Sequence, residues 1–336
     1  MQNIENSSDE IADAVENYSY GVRFTSIANV LLTEPNPDHN QDMQLPWSKA
    51  DDSEAVKQFS AVCFMYGRNV FDVTGVPQGM VDSDWGGTVI EAWSSQDALD
   101  ACNVPSNSEG DQNADTVLWN GMINPILRVS FKGFLWYQGE SNSYYNRDLY
   151  NCTFPSMIQD WRVKFSQVSG GTNLEAPFGF VQLAPWKPDT DENGFPVIRW
   201  HQTADVGIVP NPRMRNVFMS SPQDTYDPQA GYPGNIHPRY KQIVAERLAN
   251  AGLNVAYGLT EYPTYGPYPI ALIQEAADAF TTVKLEFDKD LQYLVDAEIS
   301  GFYFCSESAE KCDEGIYCYG GKVLEFFLCF YFYFTY

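Results

Sequence analysis

The chain is short of positive charge. Twenty lysines and arginines face 44 aspartates and glutamates, giving a formal charge of −24 and an isoelectric point near 4.3. A surface of that sign repels nucleic acid and anionic lipid, so neither nucleic acid nor membrane is expected among its partners. Long apolar runs are lacking as well. The C-terminal stretch VLEFFLCFYFYFTY, Val323 to Tyr336, is aromatic but well short of the roughly 20 apolar residues that span a bilayer. A misread gene end is the expected origin of this tail, not an anchor. The N-terminal MQNIENSSDEIADAV has no basic region and no apolar core, which excludes a signal peptide.

The seven cysteines are an odd number, and Cys305, Cys312 and Cys318 lack the paired spacing that zinc prefers. Disulfides are expected there and no metal or other cofactor. Asn6, Asn17 and Asn151 head Asn-x-Ser/Thr triplets, which matter only in the secretory pathway. With the cysteines they point to a lysosomal or extracellular protein.

What is present is enough for a full core: 336 residues, 44% hydrophobic and 15% aromatic. Residues 55–72 carry apolar side chains at spacings of three and four, the stripe of one amphipathic helix. GVPQGMVD reads as a strand ending at DWGGT, and the continuously apolar run from Gly133 to Tyr137 as a strand buried on both faces, ending at QGESN. A helix from about Phe154, a strand from Phe178 and another at Val217 to Ser220 follow. In YPGNIHPRYKQIVAERLANAG, Pro238 is placed in the first turn of a helix and Gly252 at its stop. Strands alternating with helices predict a parallel sheet covered on both sides, with DWGGT, QGESN and GNIHP on the rim beyond the strands' carboxyl ends. From about residue 259 the pattern turns β-rich.

Three segments can carry chemistry. Glycines at a strand end let backbone N–H groups approach a ligand and stabilise an oxyanion, and Gly86 and Gly87 are so placed. An amide side chain after a buried strand can do the same without adding charge, which makes Gln138 and Asn142 candidates; Ser141 lies in no GxSxG turn. His237, one of three histidines, stands in a loop just ahead of a helix, where a general base is well placed. His201 is read as a structural hydrogen-bonding group.

In order, the segments DWGGTVIEAW, VLWNGMINPI, FLWYQGESN, YNCTFPSMIQDWR, IRWHQTAD and GNIHPRYKQ resemble the sialate O-acetylesterase family of SGNH-type esterases, from about residue 47 to about 318. The resemblance implies an α/β fold with an SGNH-hydrolase-like parallel sheet flanked by helices, divided here into residues 1–258, the start of a β-rich region at 259–322, and the tail at 323–336. It implies hydrolysis of O-acetyl esters of sialic acid or sialoglycans, a serine nucleophile and no metal. His237 corresponds to the family's base, Gly87 or its neighbour Gly86 to the glycine of its second block, and Gln138 and Asn142 to its third.

The family's nucleophile lies in a Gly-Gln-Ser-Asn motif commonly followed by Met-Gln, and this chain starts Met1-Gln2. The expectation is a serine just ahead of Met1 and near-inactivity of the 336 residues by themselves. Asn235 stands where many relatives carry an acid, leaving Asp224 or Asp227 to orient His237. Arg199 and Arg239 are the candidates for the substrate's carboxylate, through bidentate contacts. Two other readings compete: a non-catalytic glycan-binding relative, and an esterase of other acetylated polysaccharides.

Overall fold

The computed structural model describes residues 1, 3–35, 42–108, 110–186, 194–230, 234, 236–266, 268–276 and 281–288. Among the described residues there are eight strands and seven α-helices. In chain order they are α1 (Ser7–Asn17), β1 (Val22–Ile27), β2 (Met43–Lys49), α2 (Ser53–Gln58), α3 (Ala61–Thr74), β3 (Gln78–Asp82), α4 (Gln96–Asp100), β4 (Phe134–Trp136), α5 (Tyr150–Ser169), β5 (Phe178–Val181), α6 (Phe195–His201), β6 (Val217–Ser220), α7 (Lys241–Tyr257), β7 (Pro269–Ala276) and β8 (Thr281–Phe287).

The expected α/β arrangement is present, with its strands in separate sheets. In one the order is β2-β1-β3, β1 running parallel to β3 and antiparallel to β2. The other, β4-β5-β6, is parallel throughout. Pro46 sits in β2, an edge strand, where a missing N–H is tolerated. β7 and β8 form an antiparallel ribbon in the region read as β-rich, while residues 289–336, with Cys305, Cys312 and Cys318, lie outside the described residues.

Side-chain alternation explains the layers. Trp136, Phe178, Phe180, Val217 and Met219 point to one face, into a core shared with Phe154, Trp161 and Phe165 of α5. Leu135, Val181 and Phe218 point to the other, against Val244 and Leu248 of α7 and Tyr66 of α3. This is the period-two pattern of a sheet with helices on both faces. The outward edges of β3 and β4 pair with no other strand among the described residues, although Met80 of β3 packs in the same cluster as Leu135 and Tyr137.

Several boundaries differ from the sequence reading. The single helix over 55–72 is two helices, parted where Phe59 turns extended and Ser60 accepts from the Cys63 N–H to start α3. Pro238 precedes α7 by three residues instead of sitting in its first turn. Gly252 does not stop α7. The helix continues to Tyr257 and ends at Gly258 in the left-handed region, and a Cβ on Gly252 would stand 2.5 Å from the Tyr66 hydroxyl. The glycine is there to let α3 approach.

One link was not read from the sequence at all. Cys102, just past α4, is bonded to Cys152 in the first turn of α5, with Cα atoms 5.8 Å apart.

Candidate active site

Two segments meet beyond the carboxyl ends of β3 and β4, the turn after β3 and the loop after β4, and the first residue of α7 reaches Tyr137 just past β4. The two segments are tied by a chain of side-chain amides. Gln138 Nε2 donates to the Thr88 carbonyl at 3.0 Å and to Asn142 Oδ1 at 2.6 Å, while its Oε1 accepts from the Tyr150 hydroxyl at 2.9 Å. Asn142 Oδ1 also accepts from the Ile90 N–H at 2.9 Å, and its Nδ2 donates to Glu91 Oε2 at 2.9 Å and the Tyr145 carbonyl at 3.2 Å. Gln202 adds a second tie, donating to the Gln138 and Val181 carbonyls and accepting from the Leu183 N–H. Thus the ends of β4 and β5 are fixed by side chains where the ladder stops.

Both hydrogens of each candidate amide already face protein acceptors. For Gln138 or Asn142 to donate to an oxyanion, one of these buried bonds must break. The turn after β3 is different. Gly86 and Gly87 are exposed, Gly87 has φ +78°, and neither N–H has an acceptor among the described residues. Behind them Asp82 carries a carboxyl pushed up to about 7 by withdrawal from water and by Asp84.

Glu91 and Tyr150, unremarked in the sequence, prove central. The Glu91 carboxyl is buried, and burial raises its pKa against the opposing pull of the Asn142 and Asn146 amides. A glutamate inside the apolar run TVIEAW is the signal that could have marked it.

His237 lies in the loop between β6 and α7 and is exposed. Its backbone N–H donates to the Gly234 carbonyl at 3.0 Å, but its ring has no hydrogen-bond partner among the described residues. Partial withdrawal of the ring from water, then the charge of Lys241, lowers its pKa below the ordinary value.

Neither carboxylate proposed to orient this ring does so here. Asp224 forms a two-pronged pair with Arg247 at 2.6 and 2.7 Å. Asp227, buried, accepts from Arg239 Nε at 2.7 Å, Nη2 at 3.1 Å and the Arg239 backbone N–H at 3.1 Å. Asn235 lies outside the described residues.

The same pair occupies Arg239, whose Nη1 also meets Glu5 at 3.3 Å. Arg199, on α6, reaches the Leu183 carbonyl at 3.4 Å. His201, read as structural, pairs through Nδ1 with Asp205 at 2.5 Å.

Lys241, the first residue of α7, is the cation near His237. Its Nζ meets the Tyr137 hydroxyl at 3.3 Å and lies 4.9 Å from the centre of that ring. Burial brings its pKa down to about 8, opposed by Glu140, whose own carboxyl burial raises. Among the described residues no group of histidine, cysteine and carboxylate side chains could hold a metal ion, and no helix is long and apolar enough to cross a membrane.

Residues 29–209 match the family of carbohydrate esterases described as sialic acid-specific acetylesterases. The chain is 46% identical over 239 residues to the sialate O-acetylesterase of Homo sapiens, covering 68% of this chain and 46% of that protein. To the enzyme of that name from Mus musculus it is 38% identical over 330 residues, covering 87% and 60%. Thus the chain spans about half the length of these relatives. A crystal structure of a carbohydrate acetylesterase from Xanthomonas citri superimposes with a TM-score of 0.73 at 25% identity, over 92% of this chain and 64% of that one.

Proposed function

Since the chain belongs to the sialic acid-specific acetylesterase family of carbohydrate esterases, we propose that it supplies the base, the oxyanion donors and the sugar site for removing O-acetyl groups from sialic acid or sialoglycans. The observation that carries this reading is His237. Its ring has no hydrogen-bond partner among the described residues and a lowered pKa, and it stands four residues before Lys241, which reaches Tyr137 beside the QGESN segment.

In acyl transfer His237 takes the proton of a serine hydroxyl, the oxygen attacks the acetyl carbonyl, and the tetrahedral oxyanion needs N–H donors. The Gly87 N–H, with that of Gly86, fills that role without disturbing any existing bond. Gln138 and Asn142 hold the loop in place around it. A water then attacks the acetyl-enzyme, with His237 again as base, and releases acetate.

The nucleophile that the resemblance implies is a serine in a Gly-Gln-Ser-Asn motif, and the 336 residues contain no such motif. Among the described residues no serine bonds to the His237 ring. We therefore assign catalysis to this chain joined to a segment bearing that motif. In a second reading, these residues bind acetylated glycan without turning it over.

A lysosomal or extracellular location fits the Cys102–Cys152 disulfide, since such bonds persist in oxidising compartments. Asn6 and Asn17 are exposed and suit glycosylation, though the Asn17 amide donates to Asp13 at 2.8 Å; the half-buried Asn151 amide donates to Asp205 at 2.5 Å.

The test is acetate release from O-acetylated sialic acid and from acetylated xylan. It compares residues 1–336 with the same chain extended at its N-terminus by a Gly-Gln-Ser-Asn-bearing segment. Release from sialate by the extended chain alone supports the reading. Sialate binding with no release by either chain favours the glycan-binding alternative, and preference for xylan moves the substrate to other polysaccharides.

A further inference from the structure

A sialate substrate is an anion, and a chain of charge −24 must offer it a local cation. The two arginines the sequence puts forward are engaged: Arg239 is clamped between Asp227 and Glu5, and Arg199 reaches back to the Leu183 carbonyl. Lys241 is in a different state. Among the described residues its Nζ has one hydrogen-bond acceptor, the Tyr137 hydroxyl at 3.3 Å, and no carboxylate within ion-pairing distance.

An ammonium has three hydrogens to place, and partial burial makes each unplaced one costly. The Tyr137 ring face, 4.9 Å away, steadies the charge but does not neutralise it. The acid whose charge acts on it, Glu140, is itself held toward the neutral form by burial and is a weak counterion. A surface lysine in so acidic a protein would find a carboxylate easily. This one has none within ion-pairing distance among the described residues, and it stands four residues after His237, at the first position of α7.

We propose that Lys241 is the anchor for the carboxylate of an acidic sugar substrate, and so the residue that makes the site select sialate over neutral acetylated sugars. The inference rests on the esterase reading for what the bound sugar is, but not for whether it binds. An incoming carboxylate would satisfy the remaining N–H groups of Lys241, and the gain is available only to an anionic ligand. Tyr137 is then a positioning residue, holding the ammonium through its hydroxyl and ring face.

The experiment is calorimetric titration of residues 1–336 with N-acetylneuraminic acid, which needs no nucleophile, with N-acetylmannosamine as the neutral control. Lys241→Met should weaken sialate binding at least about tenfold, the scale of one hydrogen bond to a charged group, and leave the neutral sugar unchanged, while Lys241→Arg retains most of the affinity. Undiminished sialate binding by a folded Lys241→Met overturns the proposal.

If that variant does not fold, the unsubstituted chain gives the answer: sialate should slow acylation of the Lys241 amine, read by mass spectrometry, and equal rates with and without sialate overturn it. Acetate release from a neutral acetyl ester by the extended chain, with no sialate binding by either chain, ends the anchor and spares the esterase. Lysine-dependent binding with no release under any extension does the reverse.

Discussion

Two polar clusters share the rim of the sheet and are built in opposite ways. Around Gln138 and Asn142 every amide hydrogen and carbonyl has a partner, and the buried Glu91 carboxyl is held by Asn142 and Asn146. Around His237 and Lys241 the bonds are few: no partner for the imidazole among the described residues, and one 3.3 Å contact for the ammonium. A fully satisfied network in a low-dielectric setting is rigid and specifies one arrangement. Groups left unsatisfied, at some cost to stability, keep hydrogens and lone pairs that a ligand can still meet. Polarity at strand ends therefore does not by itself mark chemistry; the state of the hydrogen bonds divides scaffold from site.

That division can be broken first at Asn142. Asn142→Ala removes the partners of the Ile90 N–H, the Gln138 amide and the Glu91 carboxyl together. Each orphaned buried group costs about 1–3 kcal/mol, more if charged, so a loss on the order of 3 kcal/mol or above is expected in urea unfolding. A loss under 1 kcal/mol would mean the network is not structural.

Gly139→Ala comes next. The residue has φ +139°, and a Cβ would stand 2.9 Å from Ile198 Cγ2, so about 2 kcal/mol of strain should appear as a lowered Tm. Gln138→Leu, which strips the Thr88 carbonyl, the Tyr150 hydroxyl and Asn142 Oδ1 of one partner each, should cost about 2 kcal/mol, since Tyr150 and Asn142 keep other partners. If amide donation to the oxyanion were its role, kcat would fall about 10²-fold or more with stability intact.

The smallest effect is on pH. The neutral imidazole is the competent base, and the His237 pKa is lowered, so kcat/KM of the extended chain should hold to a lower pH than an ordinary histidine allows. Loss should come only as pH falls through the depressed value. In Lys241→Gln the limb should move toward higher pH, because the neighbouring positive charge is gone. A limb that stays put would remove Lys241 from the electrostatics of the base.

The sequence made the scaffold legible where local pattern and tertiary role coincide. The apolar runs at Phe178 and Val217 are strands because both of their faces meet helices, and α5 follows its stripe. It misled where a residue answers to a distant neighbour. Gly252 looks like a helix stop but is the close approach of Tyr66, and the stripe over 55–72 does not register that Ser60 restarts the helix. β1 and β2 carried too little pattern to be read. In the site, the strand-end rule and residue types put forward His237 and the Gly86–Gly87 turn as candidates. They could not tell that the hydrogens of Gln138 and Asn142 are already spent, or that Lys241, an ordinary helix-start lysine in the sequence, has no carboxylate within ion-pairing distance among the described residues.

The most direct test of the account is acetate release from O-acetylated sialic acid by the extended chain carrying His237→Ala, measured with and without added imidazole. The ring's exposure and want of a partner predict an unchanged Tm, a fall in kcat approaching the about 10⁶ seen when a catalytic histidine is removed, and partial recovery with imidazole. A variant that hydrolyses the ester at the unsubstituted rate would contradict it, and the base would have to be sought elsewhere on the rim.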